Sequence, residues 1–281
     1  MEFLGGVCPV EKEMNPIETI KKRVSVRTYD GQPLKEADRR TLEAFVADMP
    51  NPFGAKTRFA LLGTDGEERV GTYGFIRGAK QYVAGCVKQG GMDLEGYGYA
   101  MERIVLQATA MGLGTCWLGI FKRGAFGEAM KPEGEMMPAV AAIGTAAEKR
   151  SLMDRAVAAG AGARKRKPFE TLFFEEDFST PMNASGTLRE CLEMVRIGPS
   201  ASNKQPWRAI RQGEAVHFYL SETPGYAGNR LPSGSIQRVD MGIAACQMEM
   251  AAQALGLPGG FTVSDPKLNA PEGWSYSYSW R

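Results

Sequence analysis

Arg23, Ser25 and Arg27 stand two residues apart in the stretch RVSVR. Successive side chains of an extended backbone alternate between faces, so all three project from one side. Two guanidiniums and a hydroxyl on one face suit a phosphate monoester, with charge-assisted hydrogen bonds from the arginines and one neutral donor between them. Spacing alone favours the plainer reading, a solvated basic patch. Arg164 and Arg166 repeat the alternate spacing in ARKRKP, residues 163–168. That run reads as a solvated linker or as a surface for RNA. It has no interleaved aromatic residues and no RNA-binding motif, so no nucleic-acid partner is expected.

Two further stretches could carry chemistry. GPSASNKQPW, residues 198–207, is small and polar through Asn203 and Lys204 and then reaches Pro206 and Trp207. Such a loop can lie along a flat ligand with polar edges, or be an ordinary turn before a strand. LGTCWLGIF, residues 113–121, places Trp117 and Leu118 between Gly114 and Gly119. Glycines let the backbone approach a partner closely, and the indole offers an apolar wall. A connection packed under the core has the same composition.

Other chemistries are excluded by what the chain lacks. His217 is the only histidine, set in the alternating strand-like AVHFYL, so triads and histidine–metal clusters have no material. The five cysteines are widely spaced with no CxxC pair, which argues against a zinc site or redox dithiol. A net charge of +2, with 23% charged and 43% hydrophobic residues, exerts no global pull toward nucleic acid or membrane. The apolar stretch Leu4–Val10 is too short to span a bilayer and follows no basic residue, so a cytoplasmic protein without signal peptide is expected.

The elements that must position these residues show a repeat. YAMERIVLQATAMGLG carries Met101, Ile104, Val105, Ala108 and Met111 at helical spacing, and Met241, Ala244, Met248, Ala251 and Leu255 recur similarly further on. Both helices end in an A-[ML]-G-L phrase, with Gly112 and Gly256 as C-terminal caps. A shift of 144 residues lays Gly98 on Gly242. A shift of 150 lays residues 42–62 on 192–210, each a helix, a small-residue loop and a strand. Strands are expected at Phe59–Leu62, Tyr82–Val87, Ala139–Ile143 and Val216–Leu220, giving an α+β fold with helices packed around central sheets. The tail WSYSYSW alternates, which predicts Trp274, Tyr276, Tyr278 and Trp280 on one face of a last strand.

Taken together, RVSVR, PSASNKQPW and GLGTCWLGIF resemble the RxSxR, PSxxNxQPW and GLGTCWxG phrases of the FMN-dependent nitroreductase family. There the second phrase usually lies between the other two. Here it follows them, in the second repeat, which resembles a tandem single-chain branch folding as an internal pseudo-dimer. The resemblance implies a nitroreductase-like fold with residues 1–160 as a phosphate-gripping repeat and residues 161–281 as linker and flavin-covering repeat. It implies that Arg23, Ser25 and Arg27 hold the FMN phosphate, with Arg164 and Arg166 closing over it. Trp117, Leu118 and Gly119 would lie beside the flavin ring, and Pro199, Ser200, Ala201 and Asn203 would cover it. Arg77 in YGFIRGAK is a candidate for the pyrimidine edge or else an ordinary exposed loop arginine.

The implied activity passes electrons from NADH or NADPH through FMN to a flat small-molecule acceptor such as a nitroaromatic or quinone. A flavin-binding sensor or carrier without turnover is the alternative. At the 150-residue shift Ser200–Asn203 fall on Pro50–Phe53, and Arg23 and Ser25 on Phe173 and Glu175. Each repeat therefore lacks the other's motif, and one FMN per chain is expected, in a monomer or a homodimer.

Overall fold

The structure, a computed structural model, describes residues 15–64, 71–149, 162, 165–226 and 230–281. Asn15 caps helix α1 (Pro16–Lys22) by accepting from the Glu18 N–H, and the chain leaves the helix at Arg23. Helix α2 (Glu36–Val46) buries Leu42, Phe45 and Val46. The first sheet holds β1 (Thr57–Gly63), β2 (Gln81–Lys88), β3 (Gly114–Leu118), β4 (Glu135–Met136) and β5 (Val140–Gly144). Its order is β1-β2-β5-β3, all antiparallel, with β4 beside β2. β2 shows why two layers cover this sheet. Its odd residues Val83 and Val87 enter the core under helix α3 (Asp93–Ala110), while Tyr82, Ala84 and Cys86 face helix α4 (Arg123–Met130) through Phe126 and Met130. The expected strands at Phe59–Leu62, Tyr82–Val87 and Ala139–Ile143 fall here.

The second sheet comprises β6 (Phe173–Glu175), β7 (Asp177–Pro181), β8 (Trp207–Gln212), β9 (Ala215–Ser221), β12 (Phe261–Thr262) and β13 (Trp274–Trp280), and a separate short hairpin, β10 (Arg230–Leu231) and β11 (Gly234–Ser235), follows β9 in the chain. Its order is β12-β13-β9-β8-β6-β7. Helix α5 (Gly186–Ile197) leads into the 198–206 loop, and helix α6 (Gln237–Leu255) is the second buried helix. The run β8-β9-β13-β12 repeats β1-β2-β5-β3 strand for strand, antiparallel throughout.

α3 and α6 pack on each other at their glycines. A Cβ on Gly98 would lie 2.1 Å from the Val239 carbonyl oxygen, and one on Gly242 would lie 2.0 Å from that of Glu95. Gly112 and Gly256 end the two helices at positive φ, and Leu113 N–H and Leu257 N–H close the same 2.9 Å bonds to Ala108 and Ala252. The halves also interlock: Ile17, Ile20 and Phe53 enter the second half's core, while Leu231, Ile236 and Val239 enter the first half's.

Two sequence expectations change. The tail does not keep its four aromatics on one face, because a β-bulge shifts the register between Tyr276 and Tyr278. One extra residue inverts every side chain beyond it. Trp274 and Tyr276 meet Phe178 and Tyr219 on the outer face, whereas Tyr278 stacks on Phe218 and Trp280 joins the core. Likewise Phe173–Glu175 is no counterpart of Arg23–Ser25. β6 runs parallel to β8 on the side away from β9, whereas Ser25 bridges Thr115 on β3, at the opposite end of the matching order.

Candidate functional site

Residues 23–29 run extended along the outer edge of β3. Val26 N–H donates to the Thr115 carbonyl at 2.8 Å, and Arg77 N–H donates to the Arg27 carbonyl at 2.9 Å. This backbone gives the alternate spacing its one face. Arg23, Ser25 and Arg27 line a cleft of about 270 Å³, while Val26 packs on Gly114. The end of β3 and its exit add Trp117, Leu118 and Gly119 to the same wall. The opposite wall belongs to the second half: Pro199, Ser200, Ala201 and Asn203, with Val239, Asp240 and Ile243 of α6. Arg166 reaches the cleft from the segment joining the halves, and Arg164 lies outside the described residues.

Three left-handed residues, Ser202, Asn203 and Gln205, shape the 198–206 loop, and hydrogen bonds hold this costly backbone. Ala201 N–H donates to Asp240 Oδ1 at 2.9 Å, and Gln205 N–H donates to Ser200 Oγ at 2.8 Å. The Asn203 amide turns toward the inter-half segment: its Nδ2 donates to the Gly162 and Lys165 carbonyls at 2.8 and 2.9 Å, and its Oδ1 accepts from Arg166 at 3.2 Å. Gln205 Oε1 accepts from Lys167 N–H at 2.7 Å. The asparagine and glutamine of PSASNKQPW thus staple that segment across the loop and fix Arg166 over the cleft. Trp207 is fully buried in the core beneath.

The cleft is strongly cationic at one end. Arg23 is only 9% exposed and lines the cleft. Burial lowers its pKa, the Glu102 carboxylate opposes that, and Arg27 adds repulsion. Burial, with repulsion from Arg23 and Arg196, brings Arg166 down to about 10. Arginines that repel one another around a cavity fit an anion there. Asp240 also lines the cleft. Burial pushes its pKa well above the carboxylate range, and the Ala201 N–H opposes that. Arg77 is not among the cleft's lining residues, and its backbone bridges to Thr28.

The mirrored position is packed. Gly96 stands where Asp240 stands in the other helix, and its absent Cβ would fall 2.7 Å from Asn51 Oδ1, the residue matching Ala201. Phe53, matching Asn203, puts its ring 5.3 Å from Tyr278, 5.6 Å from Phe261 and 6.5 Å from Tyr99.

A family model described as "Putative TM nitroreductase" matches residues 15–252. The chain belongs to this nitroreductase family. A "putative nitroreductase" of Thermotoga maritima shares its fold with a TM-score of 0.61 at 19% identity, over 100% of this chain and 98% of that one. An FMN-dependent nitroreductase of Clostridium difficile aligns with 48% of this chain and 90% of its own length, at 19% identity and a TM-score of 0.40. No curated protein matches the chain in sequence. The nitroreductase-like α+β architecture expected from the motifs is therefore the fold of this chain.

Sequence reasoning missed several contributors, Val239, Asp240 and Ile243 of α6 among them. Glu102 lies under the cleft, fully buried, accepting from Trp117 Nε1 at 2.8 Å. Phe75, Ile120 and Tyr226 line its mouth, with Phe75 and Ile120 exposed. A charge inside the buried run YAMERIVLQ was the one available signal for Glu102. The mouth residues sit in loops whose spacing carries no period.

Proposed function

We propose that the chain is a flavoprotein that binds one FMN in this cleft and passes electrons from NADH or NADPH to a flat acceptor such as a quinone or nitroaromatic. The observation that carries the reading is Arg23, a buried guanidinium that lines a cavity it shares with Arg27 and Arg166. Bound FMN supplies hydride acceptance from the nicotinamide and electron delivery to the acceptor, chemistry that needs no acid–base pair or metal from the protein.

The chain's own residues bind and orient. Arg23, Ser25, Arg27 and Arg166 hold the phosphate through charge-assisted bonds, joined by Arg164. The backbone at Trp117, Leu118 and Gly119 borders the ring on one side, and Pro199, Ser200, Ala201 and Asn203 close the other. Phe75, Ile120 and Tyr226 at the mouth give a flat acceptor apolar surfaces to stack on. The phosphate grip belongs to residues 1–160, supplemented by Arg164 and Arg166 of the linker, and the cover to residues 161–281, which begin with that linker. The filled counterpart around Phe53 supports a single cofactor per chain.

The test is anaerobic addition of NADH and of NADPH to the FMN-loaded protein, followed by a quinone. Bleaching of the flavin by either nicotinamide and return of its colour with the quinone is the expected course. FMN that binds and stays oxidised with both would make the chain a flavin carrier. A preparation that takes up no FMN would overturn the reading.

A further inference from the structure

A second group of cations stands beside the cleft. Lys167 Nζ and Arg208 Nη1 both donate to the Gln205 carbonyl, at 3.4 and 3.0 Å, so two positive heads share one oxygen. Arg208 also donates to the Trp207 carbonyl at 2.7 Å and lies over the Trp274 ring, 5.3 Å from its centre. Lys204 sets its ammonium 5.8 Å from the centre of the Tyr226 ring, at the cleft mouth. All three residues are half-buried, and no carboxylate among the described residues pairs with any of them. The first half treats the matching arginine differently. At the 150-residue shift Arg58 of β1 stands for Arg208 of β8, and it holds Glu135 with bonds of 2.9 and 2.6 Å. Lys204 falls on Gly54, so the cluster occurs on one side of the pseudo-symmetry only. Burial, with repulsion from Arg208 and Lys204, brings the Lys167 pKa down to about 8, and burial brings Arg208 down to about 10. An anion among the three would offset that repulsion.

We infer that Lys167, Lys204 and Arg208 form a second phosphate site, which takes the 2′-phosphate of an NADPH donor and makes NADPH the preferred nicotinamide. The inference rests on the proposed FMN site. There the FMN phosphate goes to Arg23, Ser25, Arg27 and Arg166, so this cluster is left for the anion of another ligand. Its place suits the donor. Lys167 and Lys204 each follow a cleft-lining residue, Arg166 and Asn203, and so stand just outside the wall. With the nicotinamide on the flavin, the adenosine end of a dinucleotide leaves through the mouth, which Tyr226 lines and Lys204 flanks. Cations with no carboxylate partner suit a phosphomonoester dianion, through charge-assisted hydrogen bonds. NADH carries a neutral hydroxyl where NADPH carries that dianion, so the cluster discriminates between them by charge.

The test compares NADPH with NADH as reductants of the FMN-loaded protein, by kcat/KM, in the wild type and in the Lys167→Ala, Lys204→Ala double variant. Arg208 is kept, because its bonds to two carbonyls brace the loop. The wild type should favour NADPH. The double variant should lose about tenfold to a hundredfold with NADPH while changing little with NADH. A second measurement needs no turnover: calorimetric titration with adenosine 2′,5′-bisphosphate and with adenosine 5′-monophosphate. The bisphosphate should bind the wild type more tightly, and the double variant should bind the two nearly alike. Three results would each overturn the inference: no preference for NADPH in the wild type, equal losses with both nicotinamides, or a bisphosphate preference that survives the substitutions. Should the double variant not fold, the wild-type titrations decide, and equal binding of the two adenosine phosphates overturns the inference. Failure to take up FMN, or FMN that neither nicotinamide reduces, would instead overturn the proposed function, and the titrations would still decide the second site.

Discussion

Replacing Arg23 by alanine separates its two roles, because the guanidinium faces the cleft while Glu102 lies buried behind it. Hydrogen bonds to a charged group contribute about 1.5–3 kcal/mol each. Loss of one such contact with phosphate weakens FMN binding roughly 10- to 150-fold. Lysine keeps the charge without the planar fork, so Arg23→Lys should fall between alanine and wild type. The second effect is on folding. Arg23 and the buried Glu102 favour each other's charged forms, so removing the guanidinium leaves the carboxylate less compensated. Arg23→Ala should therefore melt at lower temperature, and adding Glu102→Gln should restore much of the stability by removing the stranded carboxylate. It should not restore affinity, since no donor has returned to the cleft. The assay is fluorescence quenching of FMN for affinity beside thermal unfolding of the FMN-free protein. Wild-type affinity in the Arg23→Ala, Glu102→Gln double variant would refute the assignment of Arg23 to the phosphate.

Three other consequences follow from particular contacts. Asp240→Asn keeps an oxygen for the Ala201 N–H and should bind FMN normally, whereas Asp240→Ala strands that donor at a cost of about 1–3 kcal/mol. Because the folded state raises the Asp240 pKa, wild-type stability erodes as pH rises above the unfolded value of about 3.9. The advantage of Asp240→Asn in urea unfolding should thus be larger at pH 8 than at pH 5. Asn203→Ala removes three contacts to the inter-half segment, each contributing about 1 kcal/mol. Proteolysis near residues 162–167 should accelerate on the order of tenfold to a hundredfold, with weakened FMN binding. Gly98→Ala gains about 1 kcal/mol of helix propensity. It also forces a Cβ to within 2.1 Å of the Val239 carbonyl, where backbone must move. Overpacking should win by about 2 kcal/mol or more, lowering the melting temperature by several degrees.

The sequence spoke most clearly where one local rule sets both element and face. The two-residue spacing of Arg23, Ser25 and Arg27 needed only extended backbone, which the β3 edge provides. The helix ends needed only glycine at positive φ, and the 144-residue shift followed from two glycines at one helix contact. The misreadings arose where long-range pairing decides. No alternation in WSYSYSW signals the bulge before Tyr278, because register depends on β9. Phe173 and Glu175 matched Arg23 and Ser25 by offset, yet β6 joins the other edge of its sheet. Asn203 was recognised in its motif, but its bonds to Gly162, Lys165 and Arg166 depend on where the inter-half segment runs. Glu102 and Asp240 gain their character from burial, which composition does not report.

The count of FMN bound per chain tests the central claim most directly: one cleft built from two unlike halves. It can be read from flavin absorbance after denaturation, against protein concentration by amino-acid analysis. The account predicts saturation at one FMN per chain, with Phe53, Tyr278 and Phe261 filling the mirrored position. Saturation at two, or none bound, would contradict it.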